Sequence, residues 1–95
     1  MVYYTYIVEC LDGTLYTGST NNLDRRMAEH KSGKGAKYIR MKGFKKCLGY
    51  WEHPTRKEAM KMERHLKSLS HNKKLELLIT IQSSSITKKD NVYKC

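Results

Sequence analysis

Acidic side chains are scarce in this 95-residue chain: nine Asp and Glu stand against nineteen Lys and Arg, a formal net charge of +10. Such an excess carries a cost in self-repulsion that a polyanionic partner relieves. Nucleic acid is the first partner this implies. An anionic membrane surface is the second, although no basic amphipathic helix of the interfacial type stands out. Long apolar runs are missing as well. The longest, "LLITI", falls far short of the ~20 residues a membrane span requires. The opening "MVYYTYIVEC" has neither the charged start nor the apolar stretch of a signal peptide, so the chain reads as a soluble cytoplasmic protein without membrane association. The three cysteines, Cys10, Cys47 and Cys95, are odd in number and far apart, and form neither a CxxC pair nor a Cys/His cluster of zinc spacing. A single proline and 39% hydrophobic residues argue against disorder. The length suits one domain with a modest core, burying ~60–65% of its unfolded surface.

Residues 3–10 are rich in Tyr, Thr, Ile and Val and read as a strand. Asp12-Gly13 supplies a turn, and 14–19 return as a second strand. A two-residue Asp-Gly loop would put Tyr6 and Tyr16 on opposite faces of this hairpin. A three-residue loop, with Gly13 as the left-handed bulge residue, would put them on the same face as diagonal neighbours. Residue pattern alone leaves both open. Asn21-Asn22 can cap a first helix over 23–32, stopped by Gly33. Leu23 and Met27 define its buried stripe, with His30 inside it and Arg26 on its flank.

The stretch "KSGKGAKYIRMKGFKK", residues 31–46, holds seven basic residues and no acidic one, with Tyr38 and Phe44 interleaved. Its glycines predict a loop. Lys34, Lys37, Arg40 and Lys42, with Tyr38, offer phosphate contacts that need no base readout. Residues 46–52 read as a third strand, which His53-Pro54 ends. Thr55 and Glu58 form a capping box for a helix over 56–69, with Ala59, Met62, Leu66 and Leu69 as its apolar stripe. Glu63 lies roughly 80° from the centre of that stripe. A carboxylate at such a margin needs a basic side chain or a metal as partner. A short helix within 71–79 and a polar tail from Gln82 complete the chain. The expected organisation is one domain over 1–81 and a tail over 82–95.

Taken in order, "YIVECLDGTLYTGST", "RRMAEH", "SGKGAKYIR" and the helix carrying Glu63 resemble the GIY-YIG nuclease family, above all its small stand-alone bacterial members. Thr5-Tyr6-Ile7 and Tyr16-Thr17-Gly18 stand where the family has its two signature tripeptides. Ser19 stands where several relatives carry lysine. The resemblance implies an α+β fold, a small three-stranded antiparallel sheet flanked by helices in the order β-β-α-β-α-α. It also implies the bulged hairpin, with both tyrosines on one face, where they would meet Arg26, His30 and Glu63, and with Gly13 and Gly18 in structural roles. The implied activity is metal-dependent hydrolysis of phosphodiester bonds in DNA, with low sequence specificity. The implied catalytic set is Tyr6, Tyr16, Arg26, His30 and Glu63. Glu63 would hold one Mg²⁺ (or Mn²⁺), a hard ion suited to a carboxylate and waters. Arg26 offers a planar fork to phosphate oxygens. Tyr16 would orient or deprotonate the attacking water, supported by Tyr6, although a phenol's ordinary pKa of ~10 is ill-matched to neutral pH. DNA is the leading partner, RNA the alternative, and the protein is expected to be a monomer that a targeting partner could direct. The competing reading is a nucleic-acid-binding module that does not cut.

Overall fold

Asp12 and Gly13 decide how the first two strands meet. The Asp12 carboxylate accepts from the Thr14 N–H at 3.1 Å and the Thr14 hydroxyl at 2.6 Å. Gly13 adopts φ 86°, the left-handed position of a bulged three-residue loop. The Cys10 N–H donates to the Thr14 carbonyl, and the Gly13 N–H to the Cys10 carbonyl, both at 2.9 Å. Strand β1 (Tyr3–Cys10) therefore pairs with β2 (Leu15–Thr20) so that Tyr6 faces Gly18 and Val8 faces Tyr16. Both tyrosines share a face. These relations come from a computed structural model that describes residues 2–83.

Strand β3 (Phe44–His53) pairs antiparallel with the other side of β1, giving the sheet order β2-β1-β3. It begins two residues earlier than the sequence pattern indicates, because Phe44 pairs with Cys10 and packs on the core. Helix α1 (Leu23–Lys31) starts at Asn22, whose side chain accepts from the Arg25 N–H at 3.0 Å. A second helix, α2 (Lys37–Lys42), lies inside the stretch expected to be loop. Its six residues are too few for a periodic signal, and the flanking glycines masked it. Burial of Ile39, 1% exposed, holds it to the sheet. Helix α3 (Arg56–Lys67) is capped by Thr55 Oγ1, which accepts from the Glu58 N–H at 3.2 Å, and stops short of the expected residue 69. Helix α4 (His71–Ser83) runs beyond the expected 79. The rest of the expected tail, from residue 84, lies outside the described residues. The class is α+β as expected, with α2 added to the element order.

Period-two alternation sorts the core into two layers. Tyr6, Val8 and Cys10 face α1 and α2, packing with Ile39, Leu23 and Met27. Ile7 and Trp51 face α3 and α4, packing with Leu66, Leu78 and Met62. Thr5 fastens α3 to this second face. Its hydroxyl donates to the Ala59 carbonyl at 2.9 Å, so the ring N–H of His53 Nε2 must be the donor in their 3.0 Å contact. That anchorage fixes the turn of helix ahead of Glu63.

Thr17 is the exception in this layer. It is buried, and its hydroxyl has no hydrogen-bond partner among the described residues. An unpartnered buried hydroxyl costs about 1–3 kcal/mol. Replacement by the near-isosteric valine removes that cost, so Thr17→Val is expected to raise the urea midpoint, by roughly 1 kcal/mol of stability. A destabilised variant would show that the hydroxyl is satisfied.

Candidate active site

Tyr6 sits at the centre of the sheet face covered by α1 and α2, 1% exposed. Its hydroxyl lies 2.8 Å from His30 Nε2. Burial pushes the phenol up to about 12, against the opposing pull of the Arg26 guanidinium that bonds to it. A phenol so buried and so weakly acidic holds its neighbours rather than accepting a proton from water. Gly18 makes this position possible. A Cβ there would lie 2.5 Å from the Tyr6 hydroxyl and 2.7 Å from Cζ. No real side chain tolerates that approach.

α1 brings His30 and Arg26 to the same phenol. One helical turn separates them, which places both over the sheet. Arg26 Nη1 also pairs with Glu29 Oε1 at 2.9 Å. Its bond to Tyr6 is the main influence holding the guanidinium charge. His30 is 2% exposed, and its Nδ1 has no partner among the described residues. Gly35 passes directly over that nitrogen, so a side chain there would drive the ring away. Phe44 stacks on the same imidazole, ring centroids 6.4 Å apart.

Burial, reinforced by the Arg26 charge, lowers His30 from 6.5 to about 4. The ring is therefore neutral in the fold and protonates more readily once unfolded. Its contribution to stability is complete above about pH 6.5 and is lost as the pH falls toward about 4, on the order of 3 kcal/mol. Comparing urea midpoints near pH 7 and about pH 4.5, His30→Gln should lose less stability than wild type. Equal losses in both proteins would contradict a buried, neutral His30.

Tyr16 lies beside this group, half-buried, its ring centroid 6.4 Å from Tyr6 and 5.9 Å from His30. Tyr38, from the first turn of α2, stacks on it at 5.9 Å and 23°. The α2 helix missed in the sequence thus forms a wall of the site. Lys34, Lys37 and Arg40 are exposed. Lys42 is also exposed but pairs with Asp12 at 3.2 Å, so part of its charge is already balanced.

Glu63 arrives from the other side of the sheet. Ser19, one residue beyond Gly18 on edge strand β2, donates to Glu63 Oε1 at 2.7 Å. Lys67 Nζ lies 2.8 Å from Oε2. The carboxylate is 23% exposed and close enough to Tyr6 to act on its phenol electrostatically. Tyr6, Tyr16, Arg26 and His30 therefore meet on one face, and Glu63 reaches the same strand edge from α3 without hydrogen-bonding to either tyrosine. Ser19 and Lys67 were not legible as members of this group. The (i, i+4) spacing of Glu63 and Lys67 on one helix was the available signal for the second. Oxygen donors dominate here, and no cluster of three metal-ligating side chains occurs among the described residues. One carboxylate, a hydroxyl and solvent suit a hard, largely hydrated cation rather than zinc.

Residues 2–76 match the sequence profile of the GIY-YIG catalytic domain. The chain belongs to the GIY-YIG nuclease family. Within it, the chain is similar to small UPF0213 proteins. One of these, BH0048 of Halalkalibacterium halodurans, is 47% identical over 78 residues, 82% of this chain and 83% of the relative. Another, CPE1444 of Clostridium perfringens, is 41% identical over 91 residues, 96% and 94% of the two chains. Among solved structures, the solution structure of BH0048 from Bacillus halodurans aligns with a TM-score of 0.53 at 45% identity, covering 90% of this chain and 89% of its own. That of EF2693 from E. faecalis aligns with a TM-score of 0.64 at 35% identity, covering 92% and 93%. No helix among the described residues is long and apolar enough to cross a membrane.

Proposed function

We propose that this protein is a cytoplasmic, metal-dependent endonuclease that hydrolyses phosphodiester bonds in DNA with little intrinsic sequence preference, acting as a monomer. The observation that carries the proposal is the meeting of Tyr6, Tyr16, Arg26 and His30 on one face of the hairpin, with Glu63 at its edge. In this reading Glu63, with Ser19 beside it, holds one Mg²⁺ or Mn²⁺. When bound, the ion supplies positive charge to the leaving oxygen. Arg26 presents its fork to the non-bridging phosphate oxygens and neutralises the charge that grows on them. Tyr16, more exposed than Tyr6, aligns the attacking water. The buried Tyr6–His30 pair fixes the Arg26 guanidinium and keeps the floor of the site rigid. Tyr38, Lys34, Lys37 and Arg40 take the flanking strand by stacking and by phosphate contact. In this reading DNA structure or a partner protein directs the domain to its target.

The direct test is nicking of supercoiled plasmid and of branched DNA by purified protein, with Mg²⁺, Mn²⁺ or chelator. Cleavage that disappears with chelator supports the proposal, and cleavage indifferent to it does not. A second reading, a DNA- or RNA-binding module that does not cut, draws on the Lys67–Glu63 ion pair, which occupies the carboxylate. Salt-sensitive binding without turnover under any divalent ion would favour it.

A further inference from the structure

Helix α3 buries one side and exposes another that the site above leaves unused. At about 100° per residue, Arg56, Met60, Arg64, Lys57 and Lys61 fall on an arc of roughly 140°, away from the buried Ala59 and Leu66. All five are exposed. None of the four cations forms an ion pair among the described residues, unlike Lys67 one turn beyond Glu63. Together they line a shallow groove of about 460 Å³, floored by the apolar side chain of Met60.

This arc joins the candidate site. A hollow of about 320 Å³ between the end of β2 and the start of α3 is lined by Ser19, Thr20 and Arg56. Arg56 therefore borders both hollows, and Ser19 holds Glu63. The chain's other run of basic side chains, on and before α2, lies across the sheet: α2 packs on the Tyr6 face through Ile39, α3 on the opposite face through Leu66. A scissile linkage at the β2 edge would thus lie between two separate positive surfaces.

We propose that the outward arc of α3 is a second phosphate-backbone surface, gripping the nucleic acid on the opposite side of the sheet from α2. Four exposed, unpaired cations on one face offer contacts to a polyanionic backbone, and Met60 offers an apolar rest for sugar edges between the phosphates. Two supports flanking one edge fit a bent or branched duplex better than a straight one, because a straight rod cannot follow both faces of a sheet. The inference rests on the nucleic-acid reading given above but not on cleavage.

The test is fluorescence anisotropy with a labelled four-way junction, titrated over a range of salt concentrations without divalent ions. The variant replaces Arg56, Lys57, Lys61 and Arg64 with glutamine; these exposed positions spare the core, and circular dichroism checks the fold. Neutralising three or four contacts should make the slope of log affinity against log salt less negative by about 2–4. A charge-preserving control, R56K/R64K, should keep the wild-type slope. Equal slopes for wild type and the glutamine variant would overturn the inference while leaving nucleic-acid binding intact. Failure of wild type itself to bind would overturn the nucleic-acid reading as well. Loss of binding only to anionic vesicles, with junction binding unchanged, would reassign the arc to a membrane surface and likewise overturn it.

Discussion

Glu63→Gln is expected to reduce Mg²⁺-dependent cleavage by roughly a hundredfold or more while leaving the fold nearly unchanged. The two consequences separate because the amide can still accept the Ser19 hydrogen bond that now measures 2.7 Å. What it loses is the formal charge. The Lys67 ion pair disappears with it, but Lys67 is 54% exposed. Pairs of that kind contribute only ~0.5 kcal/mol or less. In the proposed reading a cation held mainly by waters would have Glu63 as its one charged anchor, so removing the charge should act on metal occupancy and hence on rate. Plasmid-nicking rates across a Mg²⁺ titration, with urea midpoints for both proteins, make the comparison. Identical residual cleavage in the two proteins would mean that Glu63 holds no catalytic ion.

Gly18→Ala should disrupt the core and the site together, because its methyl collides with both tyrosines. The added carbon meets the Tyr6 hydroxyl at 2.5 Å and Tyr16 Cε2 at 3.1 Å. Tyr6 is a rigid ring locked in the core, with no room to withdraw. Overpacking of this kind costs about 1–3 kcal/mol. Displacing the phenol also breaks its link to His30, and a shift of ~1 Å in a positioning group can lower a rate a hundredfold. The double variant Gly18→Ala/Tyr6→Phe removes the colliding oxygen but keeps the ring carbon Cζ at 2.7 Å. It should recover only part of the stability, measured by urea unfolding, and none of the nicking rate. Recovery of both would show that the Tyr6 hydroxyl has no part in the site.

The hairpin shows how far sequence carries such an account. Asp12-Gly13 announced a turn, but the face-sharing of Tyr6 and Tyr16 depended on whether the loop held two residues or three. Residue pattern could not choose, because both loops place Gly in a left-handed position. Family resemblance chose, and the Cys10–Thr14 hydrogen bond realises that choice. His30 was readable on the α1 stripe because a histidine there must be buried. Its partner was not, since the 24-residue separation from Tyr6 leaves no local trace. α2 was invisible for a different reason: one isoleucine under a glycine-flanked six-residue helix makes no period, and only tertiary burial holds it. Ser19 drew notice only as a lysine's absence, although it is the side chain that ties β2 to Glu63.

The central claim is that the hairpin carrying the two tyrosines and the α3 carboxylate serve a single metal-binding site. Adding Mn²⁺ in small steps to ¹⁵N-labelled protein tests it most directly, because the paramagnetic ion broadens nearby amide signals. Tyr16, Gly18, Ser19 and Glu63 should broaden together, ahead of every other residue, and Glu63→Gln should abolish the effect. Broadening centred on Asp24 and Glu52, with Glu63 and Tyr16 left sharp, would contradict it.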